Sequence, residues 1–188
     1  MDWKFLLIQA IGLLGNVAVI GAVQFNNRKV VLCAHAMACI FWSVHYGALG
    51  AVTALCTNFI SFGRSAVFFF NHKKWAQSKF WLWLFLGLFI INSALTWEGP
   101  RSILPAIGMC ATTLALWTRD ERKLRFLYLC SSPPWLVYNI LCGSWSCTFV
   151  EIIALVSYIS AIYRFDIKKI HKPKENKSGM EALPADEV

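Results

Sequence analysis

Apolar runs alternate with short polar islands along this chain, and seven runs are long enough to read as helices in lipid. A helix needs roughly 20 apolar residues to cross about 30 Å of hydrocarbon at about 1.5 Å per residue. The pattern places spans at 5–23, 30–46, 51–70, 80–95, 103–117, 124–141 and 145–163. Gly47 to Gly50 forms a tight turn between the second and third, and Gly99-Pro100 breaks the chain before the fifth. The fifth is short and requires local thinning of the bilayer. Pro105 and Pro133-Pro134 remove backbone donors, so kinks are expected in spans five and six, and Pro133 and Pro134 are candidate hinges. Gln9 and Asn16 interrupt the first run and no clear A-x-A site follows it, so it is read as a span and not as a cleaved leader.

The chain also carries a faint copy of itself, displaced by 93 positions. Trp42 falls on Trp135, Gly50 on Gly143 and Gly15 on Gly108, all in one ungapped register. Val44 matches Val137, Ala18 matches Ala111, Ala22 matches Ala115 and Ile60 matches Ile153. A three-helix unit repeated directly would insert upside down. One extra helix restores its orientation, and span four, apolar almost throughout, fits that role. The expected fold is therefore all-α and polytopic: seven transmembrane helices as two parallel three-helix repeats joined by a linker helix. The first repeat occupies 1–71, the linker and its loops 72–101, the second repeat 102–165, and a polar, disordered cytoplasmic tail 166–188.

Composition supports lipid over water. The chain is 57% hydrophobic, and its charge is confined to the islands, whereas a soluble domain spreads charge over its surface. The net charge of +8 is not a nucleic-acid footprint, because the basic residues occupy alternate loops and form no single face. Arg28, Lys29, Lys73, Lys74, Lys79, Arg119, Arg122, Lys123, Arg125, Arg164 and the tail lysines fall on one side of a seven-span layout. Only Lys4 and Arg101 fall on the other. The asymmetry places the amino terminus outside and the carboxyl terminus in the cytoplasm. Lys168, Lys169, Lys172 and Lys174 are in reach of anionic lipid, although a topological anchor is the plainer role. The seven cysteines include no C-x-x-C and read as small apolar filler. A Cys142–Cys147 disulfide would require their turn to face an oxidising compartment.

Function is sought on the polar faces. His35, Cys39, Trp42 and Tyr46 share one face of span two, and their repeat mates in span six are Tyr128, Ser132, Trp135 and Asn139. Span three offers Asn58, Ser61 and Ser65. Span seven offers Ser144, Glu151 and Tyr158, and Asn58 and Glu151 are mates. Two indoles with an amide and a carboxyl group would form a compact central cavity for a small polar solute: a sugar, nucleoside, vitamin or amine. Candidate binding residues are Trp42, Asn58, Trp135, Asn139 and Glu151. An acid within a span costs roughly 2.5–3.5 kcal/mol on insertion scales, so Glu151, with His35 and His45, is a candidate for proton coupling. The plainer readings are an acid near enough to the surface to reach water, histidines satisfied by backbone carbonyls, and tryptophans serving as core. Arg64 is expected to snorkel toward the cytoplasm.

The order of elements, the His45-x-x-x-Leu49-Gly50 turn, and Asn139-x-x-x-Gly143-Ser144 followed by Thr148-x-x-Glu151 resemble the bacterial inner-membrane YgjV family. The resemblance runs from span one to span seven, and it implies location in the inner membrane, not an activity. The three-plus-one-plus-three layout also resembles the SWEET sugar transporters, the PQ-loop proteins, the nicotinamide riboside importers and the KDEL receptor. The SWEET resemblance implies solute contacts from polar residues on the third and seventh helices and a tryptophan on the sixth, here Asn58, Glu151 and Trp135. The chain departs from that pattern: no Pro-Gln motif closes span one or five, and the first unit has no hinge proline.

Two functions are weighed. One is a facilitative or proton-coupled carrier. The other is a non-transporting receptor or scaffold of the same fold, which a broad, dry interior would favour, as an open polar vestibule would favour the carrier. No catalytic triad, metal set, cofactor motif or phosphate loop points to an enzyme, and span seven lacks the lysine a retinal Schiff base needs.

Overall fold

A computed structural model describes residues 3–23, 28–118 and 120–167. Residues 1–2 and 24–27, Arg119 and the expected tail from 168 onward, with Lys168, Lys169, Lys172 and Lys174, lie outside the described residues. Seven α-helices are present among those described: α1 Trp3–Val23, α2 Arg28–Ala48, α3 Val52–Phe69, α4 Lys79–Leu95, α5 Ile103–Trp117, α6 Glu121–Leu141 and α7 Trp145–Ile162. Short 3-10 turns at Lys74–Gln77 and Pro100–Ser102 lead into α4 and α5, and a π-turn at Tyr163–Ile167 follows α7.

Three helical segments are long and apolar enough to cross a membrane: Trp3–Ile20, Val52–Phe69 and Trp145–Ile167. Helix α4 is a shorter apolar helix. Burial is inverted relative to a water-soluble core. Among the described residues, more polar or charged side chains than apolar ones are buried, while Leu, Ile, Phe and Trp side chains cover the outside. Helix α3 is the clearest case. Its buried face reads Thr53, Thr57, Asn58, Ser61, Arg64 and Ser65, and its outer face presents Val52, Phe59 and Phe62. Such a helix is stable only where the exterior is apolar.

The helices close into a ring. α1 packs on α2 and α2 on α3; α5 packs on α6 and α6 on α7; α3 meets α5, and α1 meets α7. Helix α4 leans on α3 and α5. Details repeat at the spacing of 93. Gly50 and Gly143 both adopt positive φ (73° and 68°), a backbone region that favours glycine. Around them, Gly50 N donates to Gly47 O and Ala51 N to Tyr46 O. The mates Gly143 N and Ser144 N donate to Ile140 O and Asn139 O. This pair of bonds satisfies the last carbonyls of a helix and fixes its exit.

Close approach repeats as well. A Cβ on Gly15 would lie 2.8 Å from Trp42 Nε1, and one on Gly108 would lie 2.7 Å from Trp135 Nε1. The next neighbours, the carbonyls of Ala38 and Ser131, are each 3.3 Å away and are themselves 93 residues apart. Each glycine thus makes room for the indole of the following helix.

The helix starts are capped from a distance. Glu98 Oε1 accepts from Val52 N at 2.7 Å and Thr53 N at 3.3 Å, placing negative charge at the amino end of α3, while Arg101 holds Oε2 at 3.2 Å. Gln9 Oε1 accepts from Ser146 N at 3.0 Å at the start of α7. Glu98→Ala is expected to cost about 1 kcal/mol and to lower the midpoint of thermal unfolding in detergent by about 2–4 °C. An unchanged midpoint would show the cap to be idle.

Two expectations need correction. Pro105 lies in the first turn of α5, where its missing N–H has no intrahelical partner to lose, so it demands no kink. Pro133 and Pro134 lie inside α6, which continues on both sides of them. Asp166 and Ile167, assigned to the tail, belong to the π-turn, and buried Asp166 binds Arg125 at 2.7 Å.

Candidate functional site

At one end of the ring, aromatic side chains from both halves meet. Tyr46 and Tyr138 are buried against each other at 6.3 Å between ring centres, Tyr46 lies 6.2 Å from Trp135, and Trp42 packs against the same cluster. Tyr46 Oη donates a 2.6 Å hydrogen bond to Asn139 Oδ1. These two residues are 93 apart in sequence. Asn139 is thereby fixed through its side-chain oxygen, and it is buried.

His45 ties the same end to α1 and α7. Its Nδ1 is 2.7 Å from the carbonyl of Ile8, and its Nε2 is 2.7 Å from Ser144 Oγ. A carbonyl can only accept, so Nδ1 carries a proton; in the neutral ring Nε2 then accepts from the Ser144 hydroxyl. His35 is placed differently. Its Nδ1 contacts Ser65 Oγ at 3.0 Å and Cys39 Sγ at 3.6 Å, and its ring stands edge-on to Trp42 at 5.8 Å. The mates of His35 and Ser65 are Tyr128 and Tyr158, whose rings stack at 5.6 Å.

The mates Asn58 and Glu151 bond to separate neighbours. Buried Asn58 turns its amide back to the Ala54 carbonyl at 2.9 Å. Half-buried Glu151 accepts a hydrogen bond from the Ser132 hydroxyl, joining α7 to α6. The acid is therefore held inside the bundle with its polar partner, and it does not face the acyl chains unsatisfied.

The polar and aromatic faces do turn inward, yet they pack on one another. Two clefts lie elsewhere. One, of about 500 Å³, opens at the opposite end between α6 and the π-turn, lined by Arg122, Lys123, Phe126, Leu127 and Asp166. The other, of about 630 Å³, faces outward between α4 and α5, lined by Ile90, Trp97, Ile103 and Ile107. None of the five candidate binding residues lines either cleft. Cys142 and Cys147 are free thiols, as are the other five cysteines.

The largest correction concerns Arg64. Its side chain is fully buried in the ring and does not reach solvent. Nη1 donates to Thr113 Oγ1 on α5 at 2.7 Å, and the guanidinium lies over the Phe89 ring at 5.6 Å. One sequence signal pointed this way: Arg64 lies three residues beyond Ser61, on the same face as Asn58 and Ser65.

An all-helical bundle with an apolar exterior, a buried polar interior and three span-length apolar segments defines an integral membrane protein. The model of the Imp-YgjV family, described as a bacterial inner membrane protein, matches residues 6–169, and the chain belongs to that family. Comparison with curated proteins gave no match. Comparison with solved structures gave none either.

Proposed function

We propose that this protein is an inner-membrane carrier that moves a small polar solute, with or without protons, along the interior between two parallel three-helix units. The units are α1–α3 and α5–α7, α4 is their linker, and the amino terminus lies outside. The observation that carries this reading is the Tyr46–Asn139 bond. It joins repeat-related positions from the two units, so their polar faces meet along a shared line, where a symmetric membrane protein forms its solute path. In this reading the aromatic cluster and His45–Ser144 close the outer end, and the interior is occluded. Trp42 and Trp135 offer flat faces to the solute, Asn58 and Asn139 offer amides, and Glu151 exchanges its Ser132 bond for solute or proton. Pro133 and Pro134 leave carbonyls one turn earlier without helical donors, which eases bending of α6.

Uptake into proteoliposomes tests the reading. Glu151→Gln is expected to retain solute exchange at equal pH on both sides and to lose acceleration by an inward proton gradient. Retained gradient dependence would remove Glu151 from coupling. A second reading, a receptor or scaffold without transport, is favoured by the packing of the aromatic cluster, and absence of uptake and exchange across a solute panel would select it.

A further inference from the structure

Arg64 is a cation buried without an acid partner among the described residues. Its side chain has no exposure, and its Nη1 is engaged by Thr113 Oγ1, with Met109 Sδ at 3.8 Å. Its Nε and Nη2 are buried and have no hydrogen-bond partner among the described residues. Nor do the acids Glu98, Glu151 and Asp166 serve it. Glu98 is held by Arg101 and the start of α3, Glu151 by Ser132, and Asp166 by Arg122 and Arg125.

Covalent geometry sharpens the point. Nε and Nη2 lie on one edge of the planar guanidinium and point their hydrogens the same way. That edge grips a carboxylate with two parallel hydrogen bonds. A guanidinium does not shed its proton to escape burial. Stacking on Phe89 offsets part of the desolvation, yet it satisfies no N–H. Leaving two donors of a permanent cation unmet in a low-dielectric interior is costly enough to call for an anion from outside the chain. The position suits a path: Arg64 bridges α3 to α5, the two helices where the halves meet, on the face that carries Asn58, Ser61 and Ser65. His35 and Ser65, bonded to each other, stand beside this face.

The geometry points to Arg64 as the anion-binding residue of the interior, taking a carboxylate group of the solute on its Nε–Nη2 edge. This rests on the carrier reading for its physiological meaning and narrows the solute to a carboxylate-bearing molecule. Binding is testable without transport.

Purified protein in detergent is heated with sodium lactate, succinate or benzoate, with glucose or cytidine, and with sodium chloride alone. The expected result is a rise of several degrees in the unfolding midpoint with at least one carboxylate and none with the uncharged solutes. Arg64→Gln should abolish that rise. Arg64→Lys, which keeps the charge but not the fork, should weaken binding about tenfold or more. No shift with any of the carboxylates overturns the assignment in wild-type protein alone, whatever the folding of the variants. A shift that survives Arg64→Gln also overturns it. An equal, Arg64-dependent shift with chloride assigns the edge to a halide and overturns the carboxylate.

Uptake measured on the same panel separates this inference from the carrier reading. Carboxylate binding without uptake or exchange ends the carrier reading and leaves the site standing. Uptake of an uncharged solute with no carboxylate binding does the reverse.

Discussion

Gly108→Val is expected to destabilise the protein severely, whereas Gly63→Ala should leave its unfolding midpoint equal or slightly raised. A Cβ at Gly108 would stand 2.6 Å from Trp135 Cδ1 and 3.3 Å from the Ser131 carbonyl. The carbonyl belongs to the backbone of α6, and the indole, on the same helix, is backed by the ring of Tyr138, 5.9 Å away between ring centres. Neither neighbour gives easily, so even one added methyl overpacks the contact by about 1–3 kcal/mol, and a branched side chain by more. Gly63 has nothing within 4 Å of a built Cβ. There alanine gains helix propensity of up to about 1 kcal/mol. A double-mutant test adds discrimination: Gly108→Ala should destabilise the wild type and be harmless in a Trp135→Ala background. Equal effects of Gly108→Ala in both backgrounds would mean that the glycine–indole contact is not what the site requires.

Trp135→Ala is the second large effect. Loss of the ring is expected to abolish uptake and, because the indole packs on Tyr46, Tyr138 and Gly108, to cost about 3–5 kcal/mol of stability. The two losses must be separated. Trp135→Phe keeps an aromatic wedge while removing the breadth and the N–H of the indole. It should fold, as judged by a midpoint within a few degrees of wild type, and still transport poorly. Full uptake by Trp135→Phe would reduce Trp135 to a packing residue, the plainer reading from the start.

Much of the architecture was legible in the linear pattern because lipid imposes a simple rule: apolar runs outside, glycine turns between them. Helix ends shifted by a few residues where polar side chains extend a helix past the apolar stretch. Arg28 and Lys29 begin α2, and Glu121, Arg122 and Lys123 continue α6 behind the Asp120 cap. Periodicity also placed Trp42, Tyr46, Trp135 and Asn139 on inward faces. It did not foresee that the faces would pack on each other, since a face says nothing of what stands opposite. The same limit explains Arg64. Its helix position was readable, but its bond to Thr113 depends on how α3 meets α5, and a general habit of long basic side chains near helix ends favoured an end in solvent where the structure has a buried one.

The hydrogen bond between Tyr46 and Asn139 has an evolutionary reading. In the proposed two-unit layout, had two separate copies of one short chain associated, the residue on the axis would face its own twin, and two tyrosines or two asparagines would share the spot. A phenol donating to an amide is an asymmetric match that identical subunits cannot make at that point. In that layout, joining the two units in one polypeptide releases each side to diverge, so a gene split between them would have to yield heterodimers to preserve this contact.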